Sequence, residues 1–223
     1  MSKTIAAHQS NFMPNLSYFH KMWNADVFVL ITNIQFEREE GWQRRNRIPT
    51  KNGDLWLTVP VFGSQNQVLR DVKIDHSKNW AKKHIKTLQY NYAKSKEPEL
   101  LKKTIEIYNS KQNRLAELNI KLILLIKEFL EIPTELIIDE EIRGEKHELL
   151  INICKKYNAE NYLSGKGAKH YIDEEYLKEL EKNNIKNIIM ENNLAKEYPY
   201  SIMNYILSFG RNFVIEILKN TRV

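Results

Sequence analysis

The sequence predicts an α/β fold: a Rossmann-like, mostly parallel sheet with a helical segment inserted in the middle. Two observations carry this. Short unbroken apolar runs such as Val27-Phe28-Val29-Leu30-Ile31 lack the polar alternation of a half-exposed strand, so they fit strands covered on both faces, as in a parallel sheet. Helical stripes separate such runs near the start and again in the last third, which is βαβ alternation. A chain of 223 residues with 42% hydrophobic residues can bury a substantial core. Residues 1–223 therefore read as a single α/β domain with a helical insertion at about 79–131.

The elements follow in order. Thr4-Ile5-Ala6-Ala7 is a short strand that ends in the polar run His8-Gln9-Ser10-Asn11. Pro14 stops a helix from starting earlier, and Leu16, Phe19, Met22 and Trp23 form a helical stripe that Asn24-Ala25-Asp26 breaks. The run Val27-Phe28-Val29-Leu30-Ile31 completes a βαβ unit whose ligand crevice lies beyond the carboxyl ends of its strands. A polar, arginine-bearing loop leads to the turn Lys51-Asn52-Gly53-Asp54. A strand over residues 56–62 comes next, which Pro60 places at an edge or end. In the helical middle Pro98 is an interruption, and Leu115, Leu118, Leu122, Leu125 and Phe129 form a core stripe. Residues 135–138 form a strand, residues 146–157 a helix with Leu149, Leu150, Ile153 and Cys154 inward, and residues 161–165 a strand running into a glycine turn. Asp173 caps a helix through Leu180, residues 185–190 are a strand, and two short helices flank Gly210.

The formal net charge is +6. Between residues 78 and 103 there are eight lysines and two acids, an excess equal to that of the whole chain. Lys78, Lys82, Lys83 and Lys86 follow helical spacing, so this segment reads mainly as a solvated helix face; an RNA-binding stripe is the alternative. Arg44, Arg45, Arg47 and Lys51 form a second cluster, suited to forked anion binding. The single cysteine, Cys154, excludes an internal disulfide and Cys-rich metal sites, and its apolar helix face marks it as structural. The histidines show no H-x-x-x-H spacing, so no metal is expected and no cofactor is named. The longest aliphatic stretch, Leu122 to Ile126, cannot span a bilayer, and the N-terminus turns polar before a signal-peptide core forms. A cytoplasmic protein without a transmembrane segment is expected.

Chemistry-bearing residues gather at the ends of the expected strands. His8, Gln9, Asn11, Thr32, Asn33 and Gln35 belong at the first crevice, where His8 could polarise a carbonyl or phosphoryl oxygen or act as a base. Of these His8, Gln9, Asn11 and Asn33 are the candidate catalytic residues. Ser164-Gly165-Lys166-Gly167-Ala168-Lys169 follows a strand and precedes a helix, so its backbone N–H groups and lysines could surround an anion. It lacks the spacing of a Walker A loop. Arg45, Asn46, Arg47 and Gln35 join Ser164, Gly165, Lys166 and Gly167 as candidate substrate or phosphate ligands. Trp42 could stack on a base or sugar, and His84 sits beside the lysine stripe. His20 is expected to be partly exposed and structural.

Several ordered motifs together resemble the WbqC-like protein family over nearly the whole chain. They are His8-Gln9-x-Asn11-Phe12-x-Pro14-x-Leu16-x-Tyr18-Phe19-x-Lys21, Trp42-Gln43-x-Arg45-Asn46-Arg47-Ile48, and Trp56-Leu57-Thr58-Val59-Pro60-Val61. Trp80, His84, Leu88 and Tyr92, Tyr162-Leu163-Ser164-Gly165-x-Gly167-x-x-Tyr171, and Ser201-Ile202-x-x-Tyr205-x-Leu207-x-x-Gly210 complete the match. The chain departs from the family's usual residues at Ser10, Asn15 and Ser17. The resemblance implies a place in the synthesis of O-antigen or another surface polysaccharide, with glycyl or other acyl transfer onto an amino sugar as the suggested activity. Its partners would be a nucleotide-linked or lipid-linked sugar and an activated acyl or aminoacyl donor, with Tyr171 against the sugar. A homodimer through the helical middle stays open. The first block is also distantly similar to nucleotidylyltransferases and pantothenate synthetases, which use ATP. Pro14-Asn15-Leu16-Ser17 stands where their paired histidines would be. A non-enzymatic RNA-binding module is the third reading.

Overall fold

The computed structural model describes residues 2–38, 41–63, 66–170 and 172–221. In chain order the elements are β1 (Thr4–Gln9), α1 (Leu16–Trp23), β2 (Val27–Ile31), β3 (Arg45–Thr50), β4 (Gly53–Thr58), β5 (Val61–Phe62) and β6 (Lys73–Ile74). Three helices follow: α2 (Trp80–Asn91), α3 (Pro98–Asn109) and α4 (Leu115–Phe129). Then come β7 (Glu135–Asp139), α5 (Lys146–Lys156), β8 (Asn161–Ser164), α6 (Glu174–Lys182) and β9 (Lys186–Ile189). The chain closes with α7 (Leu194–Glu197), α8 (Ile202–Phe209) and α9 (Arg211–Asn220).

Five strands form one parallel sheet in the order β7-β2-β1-β8-β9. Counted within the sheet this is 3-2-1-4-5, the order of a Rossmann-like α/β fold. All five residues of β2 are buried, as its unbroken apolar run requires. Side-chain alternation divides the sheet between two cores. Ala6, Phe28, Leu30, Leu163 and Met190 face a core shared with α1, the three helices α2–α4 and the pair α8–α9. Ile5, Ala7, Val27, Val29, Ile31 and Tyr162 face the other, with α5 and α6. The crossovers thus change sides of the sheet at β1, which right-handed connections demand when the strand order reverses there.

Local chemistry explains most boundaries. Asn15 accepts from the Tyr18 N–H and starts α1, Pro98 is the first residue of α3, and Asp173 accepts from the Tyr176 N–H to start α6. Four expectations need correction. The arginine-bearing segment is not a loop. It is β3, half of an antiparallel hairpin in which Arg47 faces Trp56. The strand expected over 56–62 is divided at Pro60, which has no N–H to donate, so β4 pairs with β3 and β5 pairs with β6. His20 is not partly exposed but fully buried, because α9 and the loop before α7 cover α1 from outside; its Nε2 lies 3.0 Å from the Thr221 carbonyl oxygen. Leu125 and Phe129 are only half-buried, and Ile123 and Ile126 take their place in the α4 core.

Asp139 fastens β7 to α5. Its Oδ1 accepts from the Glu141 and Ile142 N–H groups at 2.9 Å each, and its Oδ2 from Lys156 Nζ at 2.8 Å and Tyr157 OH at 2.7 Å. Burial pushes this carboxyl up, but the hydrogen bonds from Lys156, Tyr157 and the two amides outweigh it and hold it at about 2. The folded-state value is depressed, so the stabilisation is full above the unfolded value near 4 and is lost as the pH falls through about 2. Asp139→Asn should cost about 2 kcal/mol in urea denaturation at pH 7, with the gap from wild type closing between pH 4 and pH 2. A gap that stays constant over that window would refute this.

Candidate functional site

β1 and β8 pair only through Thr4–Asn161 and Ile5–Tyr162, whereas β1 stays paired with β2 through Gln9. Beyond Ile5 the two central strands part. A cavity of about 660 Å³ opens there, at the carboxyl ends of the strands and at the point where the strand order reverses. Open α/β sheets bind ligands at this position, and the volume suits a small-molecule ligand. β1 contributes Ala7, His8 and Gln9, and β8 with its following turn contributes Tyr162, Ser164, Gly165 and Gly167. The start of α1 contributes Asn15, Ser17, Tyr18 and Lys21 from one side of the sheet, and α5 supplies Leu149 and Leu150 from the other.

The His8 ring lies deep in the molecule but opens onto the cavity, 4.7 Å from the Tyr18 ring. Its Nδ1 is 3.2 Å from the Gln9 carbonyl oxygen. Burial, reinforced by the nearby Lys21 charge, lowers its pKa to about 3 against the small opposing effect of that carbonyl. His8 is therefore a neutral imidazole at physiological pH. Its one N–H, on Nδ1, faces that carbonyl, so Nε2 is left as a hydrogen-bond acceptor of low basicity. Tyr18 donates to the same Gln9 carbonyl at 3.1 Å, and burial raises its phenol well above the usual range. Asn11 is more than nine-tenths buried, lines the cavity, and its Oδ1 has no partner among the described residues. Lys21 is buried to a similar degree and donates to the Ala7 carbonyl at 2.9 Å; burial lowers its pKa to about 8. Among the described residues that line the cavity none is an aspartate or glutamate.

The residues singled out from the sequence divide clearly. His8, Gln9, Asn11, Trp42, Asn46, Ser164, Gly165 and Gly167 come together around the cavity. Gln9 Oε1 accepts from Gln43 at 3.0 Å, and Asn46 donates to the Met13 carbonyl at 2.7 Å, so both also brace the wall they stand in. A Cβ on either Gly165 or Gly167 would meet open space, so packing does not demand glycine there and the backbone stays bare toward the cavity. The remaining residues lie off the lining. Asn33 donates to the Ile142 carbonyl, and Gln35 is exposed beside Asn66. Arg45 stacks on Trp56 at 4.9 Å, and Arg47 pairs with Asp54 at 2.8 Å on the outer face of the hairpin. Lys166 turns toward the Glu191 carbonyl and Asn193. His84 is packed among Phe12, Trp80 and Tyr108, and burial lowers its pKa to about 4. Tyr171 lies outside the described residues. None of the eight lysines between residues 78 and 103 lines the cavity.

Sequence reasoning misses Lys21 and Tyr18 as site residues. The available signal was their spacing: three residues apart on the helix that follows the first strand, they share one face, and the neighbouring face is wholly apolar. A lysine within such a helix ordinarily reads as its solvent side.

A family model described as WbqC-like protein family matches residues 9–208. The chain belongs to the WbqC-like protein family. Every cavity residue except Ala7 and His8 lies inside the matched segment of this WbqC-like protein. The Mycobacterium tuberculosis (strain ATCC 25618 / H37Rv) protein named "Uncharacterized protein Rv1507c" is 35% identical to it over 184 residues, covering 80% of this chain and 79% of that protein. No solved structure matches the chain. No helix among the described residues is long and apolar enough to cross a membrane, and no group of three or more His, Cys, Asp or Glu among them is placed to hold a metal ion.

Proposed function

We propose that this WbqC-like protein is a transferase that moves a glycyl or other acyl group onto the amine of a nucleotide-linked or lipid-linked amino sugar in surface-polysaccharide synthesis. The observation that carries this reading is the pairing of the neutral His8 with the Asn11 carbonyl, in a cavity where, among the described residues, Asn11 Oδ1 has no partner and no acid lines the wall. Acyl transfer to an amine develops negative charge on the acyl oxygen while an amine N–H must be held in line. His8 Nε2 and Asn11 Oδ1, both acceptors, suit the second need. As the C–N bond forms, the bond to the activating group breaks, that group leaves with the bonding electron pair, and the amine proton passes to it or to water. Trp42, at the cavity rim and 5.8 Å from Trp56, offers a ring for a sugar or base to lie against, and the bare backbone at Gly165 and Gly167 suits the donor's or acceptor's phosphates.

Thermal-shift titration with UDP-, dTDP- and CDP-linked amino sugars tests the acceptor. A rise in melting temperature with at least one is expected, and no response to any of them defeats the nucleotide-linked version. For the chemistry, His8→Ala should lower the turnover of an identified donor and acceptor roughly 10²-fold. Equal turnover by the variant would remove His8 from the mechanism.

A second reading has one observation in its favour: the cavity lies where Rossmann-like nucleotide-binding proteins hold their nucleotide, between the first strand and the start of α1. An ATP-using enzyme of the nucleotidylyltransferase kind would release pyrophosphate when given candidate small acids, and the acyl transferase would not.

A further inference from the structure

We propose that Lys21 is an anion receptor: the cavity takes a ligand whose carboxylate or phosphate group docks on the Lys21 ammonium. α1 is covered on nearly all sides, with Tyr18, Phe19, His20, Lys21 and Met22 buried in succession. A lysine at this position could not reach bulk water along a surface, as buried lysines usually do by snorkelling. Among the described residues its ammonium makes one hydrogen bond, to the Ala7 carbonyl, which leaves two N–H donors for a ligand. The Tyr162 ring, 5.8 Å away, offers a π face but no negative charge.

Among the described residues the compensation that a buried cation requires is missing. Among the described residues no carboxylate lies within ion-pair distance of Lys21. The titratable groups that share the cavity are His8 on β1, Tyr18 on α1, Tyr162 on β8, Tyr176 on α6 and Lys146 at the start of α5, and none of them is an acid. Cations in such settings are normally paired, because desolvation without a partner is strongly unfavourable. The missing partner must then come with the ligand, and the 660 Å³ cavity has room for it. The apolar wall of Ile31, Ile34, Leu149, Leu150 and Met190 would cover the uncharged part of the same molecule. The placement of Lys21 depresses its proton affinity in the free state, so docking an anion also restores its ordinary basicity.

The assignment rests on the cavity being the substrate site of the proposed transferase, but not on any group transfer. Calorimetric titration of the whole protein at pH 7 tests it in two arms. UDP against uridine reports a phosphate source, and N-acetylglycine against N-acetylglycinamide reports a carboxylate source. In one arm the anion should bind roughly 10- to 100-fold more tightly than its uncharged partner, as a charge-assisted hydrogen bond requires. Lys21→Met should erase that preference. In the wild-type protein the anion's affinity should fall steadily from pH 8 to pH 10 as the free amine loses its proton, a measurement that holds even if the variant is poorly folded. Equal binding of charged and uncharged partners, no binding in either arm, or a preference that survives in folded Lys21→Met overturns the assignment. Binding that obeys these rules without acyl transfer to any amino sugar would retire the transferase reading alone.

Discussion

Replacing Lys21 by methionine raises the stability of the ligand-free protein. Burial lowers the Lys21 pKa from 10.5 to about 8, so at pH 7 the folded state carries a charge it solvates worse than the unfolded chain does. That difference corresponds to about 3 kcal/mol at most, and losing the bond to the Ala7 carbonyl gives back about 1 kcal/mol, leaving a gain of about 1–2 kcal/mol. Methionine fits an unbranched, flexible site of this kind with little repacking. The sign of the pH dependence follows. The unfolded chain holds the lysine proton up to about pH 10.5 while the folded chain loses it from about pH 8, so wild-type stability rises between those values and the advantage of the variant disappears there. Urea denaturation of both proteins from pH 7 to pH 10 measures this directly. A variant less stable than wild type at pH 7 would mean that the lysine serves the fold and not the ligand.

Asn119→Ala works in the opposite direction and more strongly. Asn119 is fully buried on α4, and its Nδ2 donates to the Ser10 and Gln43 carbonyls, both at 2.7 Å. Those carbonyls belong to two separate segments, the β1–α1 connection and the lead into β3, which also meet where the Phe12 N–H donates to the Trp42 carbonyl at 2.9 Å. Alanine leaves two buried acceptors unpaired at about 1–3 kcal/mol each, so a loss of about 2–5 kcal/mol is expected in urea denaturation. Because the same segments carry His8, Gln9, Asn11 and Trp42, ligand-induced shifts in melting temperature should weaken as well. A cost below about 1 kcal/mol would show that some other contact holds the two segments together.

Much of this architecture was legible in the sequence, and the reasons differ by element. β2 and α1 stood out because each has a single pattern: an unbroken apolar run in one, a stripe behind Pro14 in the other. The cavity's position followed from βαβ alternation alone, and so did the presence of His8, Gln9, Asn11, Ser164 and Gly165 around it. β3 was hidden because its inward residues are Asn46 and Ile48 and its outward ones Arg45 and Arg47, so no apolar alternation marks it as a strand. Arg45, Arg47 and Lys166 look like phosphate ligands in a linear reading. In space a tryptophan, an aspartate and the β9–α7 connection occupy them instead. Lys21 was hidden for the reverse reason, since nothing in one dimension distinguishes a lysine facing water from one facing an internal cavity.

The early parting of β1 and β8 also bears on biosynthesis. The N-terminal strand is the middle of the sheet, and its neighbour on one side, β2, leaves the ribosome almost at once, whereas β8 follows only after some 150 further residues. During synthesis the half made of β7, β2 and β1 can assemble around its helices while the other edge of β1 stays bare. Ser164, Gly165, Gly167, Tyr176 and Met190 all arrive with the final quarter or so of the chain. The cavity is thus completed long after β1 and β2 but before α8 and α9, and a nascent chain stalled before β8 presents an open strand edge in its place.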